Sequence, residues 1–150
     1  MFVFPFADEN PTNKKPVISW LIIFACSFIF LNQISDPIYI TEQNFLSFGM
    51  IPAILFGHSE LSGPLKIIPP FLSIFTSMFL HGGWMHIIGN MTYLYIFGDN
   101  IEERLGKLKF IIFYLITGIV AAFSQAIMDP TSTIPMIGAS GAIAGVLGGY

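Results

Sequence analysis

The last fifteen residues, MIGASGAIAGVLGGY, contain one serine, Ser140, among glycines and alanines. A serine hydroxyl becomes a nucleophile when a base removes its proton, and nearby N–H donors can stabilise the oxyanion that forms. The same composition also suits a helix of small residues against which another helix packs closely. The segment is therefore either a catalytic site or a packing surface, and other parts of the sequence bear on the choice.

Two polar residues, His86 and Asn90, interrupt an apolar stretch over residues 71–98. Their spacing of four residues places them on one face of a helix. An asparagine side chain can donate a hydrogen bond to an oxyanion, but His and Asn also form interhelical hydrogen bonds in helix bundles. His81 lies five residues before His86, about 140° round a helix, and is expected to face elsewhere. Polarity alone leaves function and packing open.

The composition indicates that these residues lie in a membrane. Hydrophobic residues make up 54% of the chain, charged residues 10%, and the mean hydropathy is +0.74. A soluble domain carries about 25% charged residues. The net charge of −3 favours neither nucleic acid nor a polybasic lipid-binding patch. Cys26 is the one cysteine, so no intrachain disulfide can form, and no Cys or His spacing suggests a metal site.

Apolar segments predict an all-α, multi-pass transmembrane bundle. A helix needs about 20 apolar residues to span a bilayer, and candidate spans cover residues 17–34, 71–98, 110–128 and 136–150. The predicted organisation is an N-terminal segment, 1–16, followed by a membrane domain, which is truncated because the fourth span is short. A cleaved signal peptide is the alternative for the first span, but its apolar run is too long and acidic residues precede it.

The basic residues predict the orientation of this bundle. Five of the six lie on one side of the predicted topology, and they are Lys14, Lys15, Arg104, Lys107 and Lys109. The positive-inside rule places that side, with the N-terminus, in the cytoplasm. The connection between the first two spans then lies outside, and its apolar stretch FLSFGMIPAILFG is typical of an interfacial helix. Ser140, His86 and Asn90 consequently share the outer leaflet.

The closing segment also contains a regular glycine pattern. Gly141, Gly145 and Gly149 repeat every four residues, a spacing that permits close approach of a neighbouring helix. Ser140 adjoins this stripe at the start of the helix, where backbone N–H groups lack intrahelical partners. The segment thus indicates a nucleophile with part of an oxyanion site. A histidine base is expected on the helix that packs against the glycine stripe.

These motifs resemble those of the rhomboid family of intramembrane serine proteases. The resemblance covers nearly the whole chain, in the segments PFADENPT, FGMIPA, FTSMFLHGGWMHIIGNMTYLYIFGDNIEERLGK and IPMIGASGAIAGVLGGY. A lone G-x-S-G motif, here Gly138 to Gly141, is weak evidence. Here it occurs together with H-x-x-x-x-H-x-x-x-N and E-x-R-L-G, and the combination is specific. The resemblance implies that Ser140 is the nucleophile, and that His86, Asn90 and the Ser140 backbone N–H hold the oxyanion.

The resemblance also implies structural roles for three other residues. Glu102 and Arg104 match the family's E-x-R pair, which braces a turn, and His81 matches a histidine that supports the outer region. Rhomboids carry their base, a histidine, on the sixth transmembrane helix. Because this sequence stops within the fourth span, the base is expected beyond residue 150.

The implied function is endopeptidase cleavage of membrane-anchored protein substrates near the outer membrane boundary. The expected setting is a bacterial-type plasma membrane, with the lipid bilayer and transmembrane substrates as partners and with no metal or other cofactor. An alternative is a catalytically inactive rhomboid-like protein that binds membrane clients. A small helical transporter is disfavoured, because no charged residue lies in the middle of a span and no pair of broken helices occurs in repeated halves.

Overall fold

A computed structural model describes residues 8–150, which adopt the predicted all-α fold. Besides the helices, this part of the chain contains an isolated antiparallel bridge. The helices are α1 (Val17–Ser35), α2 (Ile38–Phe48), α3 (Pro52–Leu55), α4 (Ser73–Thr76), α5 (Trp84–Leu105), α6 (Lys107–Met128) and α7 (Ser140–Gly149), with 3₁₀ turns at Gly63–Leu65, Pro70–Leu72 and Ser77–Phe79. Residues 1–7, where the predicted N-terminal segment and the PFADENPT motif begin, lie outside the described residues.

Two helices, α1 and α6, are long and apolar enough to cross a membrane. The region predicted as one span over 71–98 is broken instead. The helical turns of Pro70–Phe79 meet α5 at an angle of 82°, and the pair gives a third crossing if both parts belong to one span. Gly82 and Gly83 lie at the break, and since glycine is unfavourable inside a helix, the pair is compatible with the end of one helix and the start of the next. Four crossings therefore stay a prediction.

The N-terminus of α1 is capped from another helix. Pro16 precedes α1 and has no side-chain oxygen to accept its free N–H groups. The buried Glu102 carboxylate of α5 does so: it accepts the Ile18 N–H at 2.9 Å, the Ser19 N–H at 2.8 Å and the Ser19 hydroxyl at 3.0 Å. Gly98 faces Ser19, and a Cβ there would lie 2.8 Å from the Ser19 Oγ. The cap therefore depends on close packing of α1 against α5.

Replacing this carboxylate is expected to destabilise the fold. Glu102→Gln keeps the size of the side chain but presents an NH₂ group to donors, so hydrogen bonds to a charged acceptor are lost, at about 1.5–3 kcal/mol. Unfolding in mild detergent, followed by circular dichroism, measures the change. Glu103→Gln is the matched control, because within residues 8–150 the Glu103 side chain accepts the exposed Asn13 N–H, and this change should alter stability by about 0.5 kcal/mol or less. Equal stability of Glu102→Gln and wild type would contradict the capping role.

Helices α5, α6 and α7 share the main hydrophobic core. Its buried side chains are Met78, Leu94, Ile101, Phe110, Tyr114, Ala139, Ala142, Ile143 and Val146. A one-residue turn at Gly106, with φ 78°, joins α5 to α6 and brings the two helices back alongside each other. Since positive φ favours glycine, this residue fixes the reversal. In this core the start of α7, at Ala139 and Ala142, packs with Leu94 of α5.

The glycine stripe of α7 packs against α6. A Cβ at Gly141 would lie 2.6 Å from the Ala121 Cβ, and a Cβ at Gly145 would overlap Thr117. The expectation that the stripe's partner helix carries the histidine base is therefore wrong, because α6 contains no histidine. Small residues at four-residue spacing on both helices explain the close approach.

The connection between α1 and the broken helix reaches over to the segment before α7. Met50 and Met136 exchange two backbone hydrogen bonds, at 3.1 and 2.8 Å, and the Ala53 N–H donates to the Ser132 carbonyl at 2.9 Å. The apolar stretch at 45–57, where the sequence indicated an interfacial helix, holds the end of α2 and the short helix α3, so the single helix is replaced by two. Backbone hydrogen bonds from the connection thus fix the position of the residues that precede Ser140.

Candidate functional site

The site is organised around Gly138, which adopts φ 114° and donates its N–H to the Ser77 carbonyl at 2.8 Å. A Cβ built on this residue would lie 2.5 Å from the His86 Nε2 and 3.7 Å from the Asn90 Nδ2. Only a residue without a side chain fits between the backbone and these groups. The structure therefore brings three residues singled out from the sequence, Gly138, His86 and Asn90, into direct proximity.

Ser140 is the first residue of α7 and is exposed. The first hydrogen bond of the helix runs from the Ile143 N–H to the Ala139 carbonyl, at 3.0 Å. The N–H groups of Ser140, Gly141 and Ala142 consequently have no intrahelical acceptor, and the helix dipole adds partial positive charge at the same end. The Ser140 hydroxyl thus lies next to backbone donors that suit a developing oxyanion.

His86 and Asn90 contribute the side-chain donors of the site. They lie one turn apart on α5, with His86 half-buried and Asn90 buried. The Gly82 N–H donates to the His86 Nδ1 at 3.5 Å, and a neutral imidazole that accepts at Nδ1 carries its proton on Nε2. The Asn90 Nδ2 is buried without a hydrogen-bond partner within residues 8–150. Two N–H donors therefore converge on the surroundings of Gly138.

His81 lies in the break before α5 and is almost fully buried. Its ring packs edge-on against the His86 ring, with centroids 5.1 Å apart, so the expectation that it faces away from His86 is wrong. That expectation assumed one continuous helix, which the bend at Gly82 and Gly83 replaces. The His81 Nδ1 is 3.3 Å from the Phe79 carbonyl oxygen. This contact fixes the His81 ring, which in turn packs against the His86 ring.

Gln33 of α1 also holds His81 in place, a role that was not predicted from the sequence. Its amide bonds the backbone of His81 twice, donating to the carbonyl at 3.3 Å and accepting the N–H at 3.4 Å. The side chain is buried. A glutamine inside an apolar span was the available signal, because polar residues at membrane depth usually have specific partners.

A cavity of about 320 Å³ adjoins Ser140 on the side of α6. Its lining includes the polar residues Ser77, Gln125 and Ser140 and the segment 134–138. This volume falls in the range of small-molecule and peptide-sized sites, about 300–1,000 Å³. Ser140 is accordingly reachable from a space that could hold part of a polypeptide. No group of three or more His, Cys, Asp or Glu within residues 8–150 is placed to hold a metal.

Glu102 and Arg104 lie away from this site, at the other end of α5. Twelve residues separate Glu102 from Asn90, which is about 18 Å along a helix. Besides capping α1, Glu102 accepts the Gly106 N–H on its carbonyl at 2.8 Å, which closes the turn into α6. Arg104 is exposed, and the ion pairs within the described residues do not include it. The pairing of these two residues stays a prediction.

A model of the Rhomboid domain family matches residues 70–150, just over half of the chain. Rhomboid-like protein 11, chloroplastic, of Arabidopsis thaliana is 28% identical over 144 residues, which cover 93% of this chain and 44% of that protein. Rhomboid-like protease 3 of Toxoplasma gondii is 32% identical over 147 residues, covering 98% and 50%. Rhomboid protease GluP of Bacillus subtilis (strain 168) is 29% identical over 136 residues, covering 91% and 24%.

The chain thus spans between about a quarter and half the length of these relatives. The matched domain contains Ser140 together with the two donors His86 and Asn90. The apolar helices α1 and α6 of the chain are typical of a membrane protein. The chain belongs to the rhomboid family.

Proposed function

We propose that this protein is an intramembrane serine endopeptidase that cleaves membrane-anchored protein substrates near the outer membrane boundary. The observation that carries the proposal is the contact of Gly138 with His86 and Asn90, two residues before Ser140. This contact supports the proposal because Gly138 leads directly to the candidate nucleophile and lies against possible donors on another helix. Protease names among the relatives support the same activity.

The proposed reaction follows from this arrangement. The Ser140 Oγ attacks the scissile carbonyl carbon while a base removes the hydroxyl proton. The resulting oxyanion accepts hydrogen bonds from the Ser140 N–H, the His86 Nε2 and the Asn90 Nδ2. The C–N bond then breaks, the amine leaves with the proton, and water hydrolyses the acyl-enzyme ester. The three donors stabilise charge that exists only after attack, so they lower the barrier.

The base is expected to be a histidine beyond residue 150. His86 is unsuited to that role because its Nδ1 already accepts a hydrogen bond, which leaves Nε2 as a donor. The face of α7 that carries Ser140, Ala144 and Gly148 is exposed, and a Cβ at Gly148 would meet no atom within 4 Å. A further helix that packed on this face would bring its side chains to Ser140.

A serine-directed fluorophosphonate probe tests the proposed function. Residues 1–150 alone are expected to remain unlabelled, because a serine hydroxyl is a weak nucleophile without a base. A longer form of the protein that includes a histidine-bearing helix should be labelled on Ser140, as located by mass spectrometry of peptides. Labelling of Ser140 in residues 1–150 would instead show that a base lies within them. Failure of every form to react would favour the alternative, an inactive rhomboid-like protein that binds membrane clients.

Removal of the Asn90 donor is expected to slow cleavage without abolishing it. Asn90→Ala eliminates one of three proposed oxyanion donors, and a loss of this kind lowers kcat by about 10²–10³. Cleavage of a transmembrane reporter in liposomes measures the rate. Asn100→Ala is the control, since Asn100 is an amide on the same helix that contacts Asp8 and Asp99 instead. Equal rates for wild type and Asn90→Ala would mean that Asn90 serves only packing.

The orientation is part of the proposal. The cluster of basic residues near the ends of α5 and α6 favours a cytoplasmic location for that side, which places Ser140 towards the outside. The plasma membrane of a bacterium is the proposed location.

A further inference from the structure

A second cavity, unconnected with Ser140, lies between α1, α2 and the broken helix. Its volume is about 380 Å³. Its apolar wall includes three aromatic residues, Phe28, Phe48 and Phe79, together with Ile29 and Leu80. Phe28 is also exposed on the outer face of α1, where it stacks on Phe24 with ring centroids 6.2 Å apart. The cavity is therefore an apolar groove that opens towards the lipid.

The rim of this groove at the C-terminal end of α1 is polar. Asn32, Asp36 and Asn44 lie there. Helix α1 has 19 residues, so it is about 28 Å long, close to the thickness of the hydrocarbon core of about 30 Å. Its C-terminal end thus lies at the level of the lipid headgroups. Eight residues separate Phe28 from Asp36, about 12 Å along the helix, so the groove descends from headgroup level into the acyl region.

Asp36 determines which headgroup would suit the rim. It is the charged residue of the lining, and its exposed carboxylate has no hydrogen bond or ion pair within residues 8–150. No Lys or Arg lines the groove to receive a phosphate. An ammonium group with N–H donors can form a charge-assisted hydrogen bond to this carboxylate, whereas a trimethylated amine has no N–H and an anionic headgroup would be repelled.

We propose that this groove binds a phospholipid with a primary-amine headgroup, such as phosphatidylethanolamine. One acyl chain lies along the aromatic wall, and the ammonium group reaches Asp36. A transmembrane protein segment is the competing occupant. It is disfavoured because closely packed membrane helices meet through small residues, and the apolar wall consists of large side chains.

Lipid retention by the purified protein tests the proposal. The protein is equilibrated in micelles with equal amounts of phosphatidylethanolamine, phosphatidylcholine and phosphatidylglycerol of matched acyl chains, and bound lipids are counted by native mass spectrometry. Phosphatidylethanolamine should be retained about two- to fivefold over the other two, the range expected for an exposed ion pair. Asp36→Asn should reduce this ratio to about one. Glu42→Gln is the matched control, since Glu42 is exposed on α2 and does not line the groove.

A second variant tests the location. Asn44→Trp fills the groove from α2 and should lower the retention of all three lipids, while circular dichroism checks that the fold is kept. Equal retention of the three lipids by wild type would overturn the proposal. So would an amine preference that persists in Asp36→Asn, or retention that Asn44→Trp leaves unchanged in a folded protein. Cross-linking of a transmembrane peptide to a photoreactive residue introduced at position 28, with loss of the bound lipid, would assign the groove to a protein partner instead.

Discussion

Ser140→Ala is expected to abolish proteolysis in a form of the protein that includes the base, while the fold is retained. Loss of the nucleophile costs serine proteases on the order of 10⁶ in kcat, so cleavage of a transmembrane reporter should fall to background. The fold should tolerate the change, because Ser140 is exposed and its hydroxyl forms no hydrogen bond within residues 8–150. Alanine also suits the first turn of a helix.

Ser124→Ala is the control for this prediction. Ser124 is an exposed serine near the C-terminal end of α6, so its loss tests whether removal of any hydroxyl in the region matters. It should leave both cleavage and fluorophosphonate labelling unchanged, whereas Ser140→Ala should remove both. Cleavage that survives in Ser140→Ala at the wild-type rate would exclude Ser140 as the nucleophile and, with it, the proposed reaction.

The parts of the fold that could be predicted from the sequence are those that local spacing determines. Hydropathy places α1 within one residue of its observed bounds. The agreement arises because a helix that crosses a bilayer needs about 20 apolar residues, which is the length of this apolar run. The four-residue spacing of His86 and Asn90 likewise predicts one helix face, which the proximity of both to Gly138 confirms. Such inferences need only the geometry of a single helix.

Other features could not be predicted because they depend on contacts between distant segments. Glycines at 141 and 145 indicate close approach of a helix but do not say which one. The partner proved to be α6, whose Thr117 and Ala121 have the same spacing. The packing of His81 on His86 depends on the 82° bend, and a Gly-Gly pair was its only local signal.

The cap on α1 illustrates the same limit at the opposite end of the molecule. The sequence resemblance implied that Glu102 braces a turn with Arg104, both close in the chain. The structure shows its carboxylate bonded to Ile18 and Ser19, more than 80 positions away. The absence of a capping side chain before α1, at Pro16, was a signal that some other acceptor must be present. It could not identify Glu102 as that acceptor.

Gly138→Ala is expected to disable the site even though the change adds one methyl group far smaller than a substrate. The backbone at φ 114° is strained for any L-residue, at a cost of order 1–3 kcal/mol. The new Cβ would also lie 2.5 Å from the His86 Nε2, so either the imidazole or the segment leading to Ser140 must move. A displacement near 1 Å can cost about 10²-fold in rate, and reporter cleavage should fall by at least that factor.

Gly83→Ala provides the control, with the same chemical change in a neighbouring segment. Gly83 has φ 167°, which is extended backbone open to any residue, and a Cβ there meets no atom within 4 Å. Its activity and melting temperature should stay close to those of wild type. A Gly138→Ala protein that cleaves as fast as Gly83→Ala would show that the two segments are not held in contact.

The stability of a double variant separates the two causes of the Gly138→Ala defect. His86→Ala removes the imidazole that the new methyl group would overlap, but it leaves the backbone strain at residue 138. Groups in direct contact have non-additive effects on stability. Gly138→Ala should therefore destabilise the protein less in the His86→Ala background than in wild type, by thermal unfolding in detergent. Strictly additive losses would mean that strain alone requires glycine at 138, and that His86 does not lie against the segment leading to Ser140.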